Sequence, residues 1–156
     1  MTPRVGIGFD VHPFADDDKP LVLGGIAFAG RGLAGHSDGD VITHAVIDAL
    51  LGAAGLGDIG EHFADTDPAW KDADSAGMLL ATGALLRDHG WSVLNVDCSV
   101  VLDAPKLAPR RAEMQERLSG QVGAPVTIKG KRSEGLGALG RGEGIAAWAV
   151  ALLDRP

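Results

Sequence analysis

The ten residues from Gly35 to His44, Gly-His-Ser-Asp-Gly-Asp-Val-Ile-Thr-His, bring two histidines, two aspartates and a serine into one short stretch. Upstream, Asp10-Val11-His12 spaces a carboxylate and an imidazole two residues apart, which puts both on one face of a strand. Asp10, His12 and His44 offer two nitrogen donors and one oxygen donor. That is the set of an open zinc site whose fourth position takes water or substrate. A turn aspartate, a surface histidine and a packed helical histidine are the simpler alternative. Four more polar residues without an evident structural partner, His36, Ser37, Asp58 and Asp65, favour chemistry.

A second constellation is basic. Lys106 follows Pro105, and Lys131, Arg132 and Arg141 lie in or beside a run where Gly135, Gly137, Gly140, Gly142 and Gly144 leave the backbone uncovered. Backbone amides with point charges suit a phosphate. Glu134 in their midst is out of place for an anion unless it holds a divalent cation between phosphates.

The elements that must position these groups are legible as periodicity. Val41, Ile42, Ala45, Val46, Ala49, Leu50 and Ala53 recur at helical spacing and predict a helix from near Ser37 to about Leu56, stopped at Gly57–Gly60. Ser37 is its expected N-cap, with Asp40 completing a capping box. His44 is then about two turns in, with Asp40 at i−4 and Asp48 at i+4 to orient its ring.

Arg4–Phe9 alternates as a strand leading into Asp10-Val11-His12. An acidic solvated loop follows at 15–19, and then a strand or hairpin arm from Leu21 to Gly30. Residues 61–73 lack periodicity and contain an exposed-looking Trp70, so they read as a long functional loop or a solvated connector. Residues 74–89 return to helical spacing. Trp91–Asp103 reads as a strand in a largely buried sheet. Pro105 is expected to open another helix, with Lys106, Arg110 and Arg111 in its first two turns. Pro125–Lys129 and Ile145–Leu153 are further strands. Interleaved strands and helices predict an α/β or α+β sandwich, a mixed β-sheet packed with helices in a single domain over residues 1–156.

The whole chain narrows the partners. With 21 acidic against 14 basic side chains the net charge is −7, which argues against nucleic acid. A small anionic ligand would need a bound metal or focused cations to overcome that field. No apolar run approaches the roughly 20 residues of a spanning helix, and the first residues lack an apolar leader segment. Cys98 is the only cysteine, so no intrachain disulfide forms; it is read as a buried, inert thiol. A reducing, cytoplasmic setting is expected.

Taken together, Gly8-Phe9-Asp10-Val11-His12, Gly35-His36-Ser37-Asp38-Gly39-Asp40, Gly57-Asp58-Ile59-Gly60 with Asp65-Thr66-Asp67, Ala104-Pro105-Lys106 and Gly140-Arg141-Gly142-Glu143-Gly144 resemble the 2-C-methyl-D-erythritol 2,4-cyclodiphosphate synthase family of the non-mevalonate isoprenoid pathway. The resemblance spans nearly the whole chain, with five motifs in order at fitting spacing. It implies zinc on Asp10, His12 and His44 and magnesium on Glu134, bridging substrate phosphates. It implies that His36 and Ser37 meet the methylerythritol phosphate end, that Asp58, Ile59, Gly60, Phe63, Asp65 and Asp67 surround the sugar, and that His36 and Arg132 stabilise the transition state. The cytidine diphosphate end would rest on Ala104, Lys106, Leu107, Ala108, Lys131, Arg132, Ser133 and Glu134, with Ala138 and Arg141 beside it. The family implies a homotrimer with sites between subunits.

The implied reaction is attack of the substrate's 2-phosphate on the β-phosphorus of its cytidine diphosphate arm, expelling CMP. The nucleophile belongs to the substrate, which explains why no serine or cysteine nucleophile stands out. Lys131-Arg132-Ser133 departs from the family's run of threonines, and Ala138 stands where a phenylalanine is frequent. A metal-stabilised nucleotide-binding module without turnover and a zinc phosphohydrolase are the competing readings.

Overall fold

A computed structural model describes residues 2–156. Its main sheet has four strands in the order β1 (Arg4–Pro13), β6 (Gly144–Asp154), β4 (Ser92–Val101), β5 (Val126–Lys131). The first two pairings are antiparallel and the third is parallel, so the sheet is mixed. Parallel neighbours need a crossover, and helix α4 (Arg111–Val122) supplies it. A separate hairpin joins β2 (Leu21–Leu23) to β3 (Ile26–Phe28).

One face of the sheet is covered by α1 (Val41–Ala54) and α4, and α3 (Ser75–Asp88) packs against both helices. Ile47, Leu50, Leu51, Leu79, Leu86, Met114, Leu118 and Ile128 close the core between the layers. Helix α1 is the central element, with twelve of its fourteen residues buried, as expected of a helix that is apolar nearly all round.

It can lie so deep because the strand beneath it is stripped of side chains. A β-carbon added to Gly6 would stand 2.1 Å from the Ala49 carbonyl oxygen, so strand and helix backbones touch. Past the helix start, β1 regains side chains on the same face at Asp10 and His12. That places them in front of the first turn of α1, where His44 is.

Several expectations are corrected. Helix α1 begins four residues later than the spacing suggests, because Gly39 takes a left-handed φ of 74° that no helix interior accommodates. Asp40, not Ser37, is the N-cap, and its carboxylate accepts from the Thr43 N–H. His44 is therefore one turn in, and the helix ends at a left-handed Gly55. Gly57–Gly60 is not a plain glycine exit, since Ile59 and Gly60 open a short helix, α2 (Ile59–His62), capped by Asp58.

Pro105 opens no helix. A helix starting there would carry Pro109 inside, where its missing N–H breaks the ladder; Pro109 instead lies in the 3-10 turn Ala108–Arg110 that leads into α4. Strand β4 is not buried on both faces: Val96, Cys98 and Val100 point into the core while Asn95, Asp97 and Ser99 point away. Burial pushes the Cys98 thiol up to about 12, which agrees with an inert cysteine. No helix among the described residues is long and apolar enough to cross a membrane.

The other face of the sheet carries an apolar stripe. Val5, Ile7, Phe9 and Val11 of β1 and Trp148 and Val150 of β6 are all substantially exposed. Register places Ile7 opposite Val150 and Phe9 opposite Trp148, whose rings lie 5.0 Å apart between centroids. Next to them on β4 the stripe gives way to Asp97 and Ser99.

Candidate active site

Three side chains from two elements converge where β1 runs past the start of α1. Asp10 Oδ2 lies 2.8 Å from His12 Nε2 and 3.1 Å from His44 Nδ1, and the two imidazole nitrogens are 3.3 Å apart. The His12 Nδ1–H donates to the Ala34 carbonyl at 2.7 Å, leaving Nε2 free to face inward. Three ligand atoms within 4.8 Å of one another, each able to present a lone pair to one point, form a donor set that a cation would satisfy. Two imidazoles and a carboxylate match an open zinc site.

The local electrostatics fit this arrangement. Burial raises Asp10, but hydrogen bonds and charge from His12 and His44 prevail and hold its carboxyl below the usual range. For His12, burial works downward while Asp10 and the Ala34 carbonyl prevail and raise it.

The carboxylates expected to orient His44 do other work. Asp40 is fully buried and accepts from the N–H groups of Gly24 and Gly25 and from the Thr43 hydroxyl, tying the β2–β3 turn to the helix start. Asp48 accepts from the Ile59 N–H at 3.0 Å. The i−4 carboxylate stands at a helix terminus whose unpaired N–H groups claim it first.

The polar groups that looked unpartnered are mostly paired. Ser37 Oγ lies 3.0 Å from His44 Nε2, His36 Nε2 is 3.2 Å from the Asp67 carbonyl, and Asp58 caps α2. The Lys19 ammonium, read as part of a solvated loop, donates to the carbonyls of Gly35 at 3.0 Å and Ser37 at 2.6 Å. It pins the loop carrying His36 and Ser37.

A cleft of about 230 Å³ opens in front of the triad, lined by Phe9, Asp10, His12, His36, Ser37, His44, Ile59, Gly60, Phe63, Asp65, Trp70 and Met78. Trp70 is half-buried, packed edge-on against Phe63 at 4.7 Å. Asp58 and Asp67 support this wall without lining it; Asp67 caps the 3-10 turn Pro68–Trp70. Phe9, Trp70 and Met78 had no polar signature in the sequence, and Lys19 had no local one.

Of the basic constellation, Lys106, Lys131 and Arg132 but not Arg141 or the glycine run meet in a different cavity of about 220 Å³, lined also by Leu102, Asp103, Pro105, Leu107, Ala108, Arg111 and Gly130. The two cavities share no residue. Glu134 lies in a shallower depression with Asp103, Arg132 and Gly135, and Ala104 in a groove with Phe14, Leu21 and Arg31. The Ser133 hydroxyl donates to Asp103 at 2.5 Å, so toward any ligand it can act only as an acceptor. Ala138 lies on the short helix α5 (Gly137–Gly140), and the exposed Arg141 just after it pairs with Glu143 at 2.6 Å.

A family model described as the YgbB family matches residues 3–154. A 2-C-methyl-D-erythritol 2,4-cyclodiphosphate synthase of Bordetella petrii is 52% identical over 156 residues, covering 97% of this chain and 96% of that protein. A bifunctional enzyme IspD/IspF of Anaeromyxobacter dehalogenans is 51% identical over 96% of this chain, which spans only 39% of that longer protein. Among solved structures, a CDP complex of IspF from Plasmodium falciparum aligns with a TM-score of 0.85 at 32% identity, over 98% of this chain and 96% of that one.

Proposed function

The chain belongs to the YgbB family, and from that membership we propose that it converts 4-diphosphocytidyl-2-C-methyl-D-erythritol 2-phosphate to 2-C-methyl-D-erythritol 2,4-cyclodiphosphate and CMP. In reaction class it is then a phosphorus–oxygen lyase of non-mevalonate isoprenoid synthesis, working in the cytoplasm through one synthase domain over residues 1–156. The observation that carries the reading is the convergence of Asp10, His12 and His44 on a cleft also lined by His36, Ser37 and Asp65.

Asp10, His12 and His44 would hold zinc and Glu134 would hold magnesium; bound there, the metals would supply Lewis-acid neutralisation of phosphate charge. The residues of the chain do the rest. His36 and Ser37 receive the methylerythritol phosphate end, while Asp58, Ile59, Gly60, Phe63, Asp65 and Asp67 shape and support the wall around the sugar. Lys106, Leu107, Ala108, Lys131 and Arg132 hold the cytidine diphosphate, with Ala104, Ser133, Ala138 and Arg141 around it. The 2-phosphate oxygen forms its bond to the β-phosphorus while the bond from that phosphorus to the CMP oxygen breaks, and CMP leaves with the electron pair. His36 and Arg132 stabilise the added charge. Positioning and charge neutralisation are all that the step asks of the protein.

Each cavity alone is smaller than the roughly 300–1,000 Å³ usual for ligand sites, and a substrate with two phosphate-bearing arms needs both. We therefore place the site between subunits of a homotrimer, the first cavity of one chain meeting the second cavity of its neighbour. The exposed apolar stripe of β1 and β6 supports burial against further copies, and Phe9 belongs both to that stripe and to the cleft.

Turnover in ¹⁸O-labelled water tests the reading. Intramolecular attack leaves CMP and the second product free of solvent oxygen. One solvent oxygen in either product would mean hydrolysis and overturn it.

A further inference from the structure

The hydrogen bonding behind His44 runs one layer deeper than the metal ligands. His44 Nε2, the nitrogen turned away from Asp10 and His12, lies 2.8 Å from Ser75 Oγ. The Ser75 hydroxyl in turn donates to Asp38 Oδ1, and the Ser75 N–H donates to Asp38 Oδ2 at 2.9 Å. Ser75 is completely buried as the first residue of α3, and Asp38 is anchored through its own N–H to the Ala73 carbonyl at 3.1 Å.

The direction of each hydrogen bond is forced. An ionised carboxylate only accepts, so the Ser75 proton points at Asp38 and its lone pairs point at His44. His44 Nε2 must then carry the proton, which leaves the Nδ1 lone pair facing Asp10 and His12. Among the described residues Ser37 Oγ, at 3.0 Å, is the one other partner of this nitrogen, and unlike Ser75 it lines the cleft.

We infer that Asp38 and Ser75 form a positioning relay that fixes the tautomer and ring orientation of His44 for metal binding and leaves the Ser37 hydroxyl for substrate. This rests on the reading that Asp10, His12 and His44 hold a divalent metal. Neither Asp38 nor Ser75 touches the reacting atoms. Their effect on the metal passes through one imidazole, while Asp38 Oδ1 also accepts from the N–H of Asp40, an acceptor that Asn retains in Asp38→Asn.

The test is zinc affinity by competition with a chromophoric chelator, alongside the visible absorption of the cobalt-substituted protein, for the wild type, Ser75→Ala, Asp38→Asn and the double variant. Loss of a partner behind a metal-ligating histidine typically weakens metal binding by about tenfold to a hundredfold. Ser75→Ala is expected to fall in that range with an altered cobalt spectrum, and the double variant to be no weaker than Ser75→Ala, since Asp38 acts through Ser75. Ser37→Ala should keep wild-type zinc affinity and raise KM instead.

Wild-type affinity and an unchanged cobalt spectrum in Ser75→Ala would overturn the relay, as would additive losses in the double variant. If Ser75→Ala does not fold, unchanged affinity in Asp38→Asn alone overturns it. Wild-type protein that binds no metal, or binding that survives in His44→Ala, would instead sink the metal reading and the relay with it.

Discussion

A β-carbon added to Gly8 of β1 would stand 1.9 Å from the carbonyl oxygen of Ala45 in α1, one residue after His44. Backbone thus rests on backbone immediately beside a residue proposed to hold the metal, and the distance from strand to helix is set by the absence of a side chain. The geometry of the site follows, because Asp10 and His12 are the next two residues on the same face of that strand.

Gly8→Ala is therefore expected to damage metal binding and stability together. The helix cannot move aside without lifting His44 from Asp10, and overpacking of this kind costs about 1–3 kcal/mol or more. Chemical denaturation and zinc content check it. A variant of unchanged stability and full zinc content would show that the layer spacing is slack.

Zinc affinity should depend on pH through His12. Asp10 holds this imidazole above its ordinary value of about 6.5, despite burial. In the metal-free protein the pair stabilises the fold fully only between about pH 3.8, above which Asp10 is ionised, and about pH 6.5; the stabilisation fades as pH rises through the raised His12 value and as it falls through the lowered Asp10 value. Zinc needs the neutral ring, so the sign reverses for binding. Affinity should climb by about tenfold per pH unit below the raised value and flatten above it. Chelator competition across the range measures this; a flat profile contradicts it.

Because His44 and Arg132 line separate cavities, inactive chains should rescue one another. His44→Ala and Arg132→Ala are each expected to lose more than tenfold in rate, about 1.4 kcal/mol or more. Unfolded and refolded together, they should form some interfaces with both halves intact, and CMP release should rise above that of either variant alone. No recovery in demonstrably mixed assemblies would place the whole site within one chain.

The converging triad is legible in the sequence, but the residues that hold it in place are not. Asp10 and His12 follow from strand alternation, and His44 from its place on an apolar helix. Their meeting is tertiary, set by the close approach of α1 to Gly6 and Gly8, whose partners in the helix no local pattern names. Asp40 and Asp48 misled because helical spacing is a local rule, while their partners, Gly24, Gly25 and Ile59, come from other segments. Ser75 and Lys19 were invisible for the same reason: each acts across more than fifteen residues of chain. The start of α1 was misplaced by a single dihedral, the positive φ of Gly39, which leaves no trace in hydrophobic periodicity.

The proposed reaction closes a ring within one substrate molecule. Phosphorus NMR of the purified protein incubated with 4-diphosphocytidyl-2-C-methyl-D-erythritol 2-phosphate, zinc and magnesium tests it most directly. CMP and a cyclic diphosphate are expected in equal amounts, with loss of both in His44→Ala. Linear methylerythritol phosphates, or an unchanged substrate spectrum with both metals bound, would contradict it.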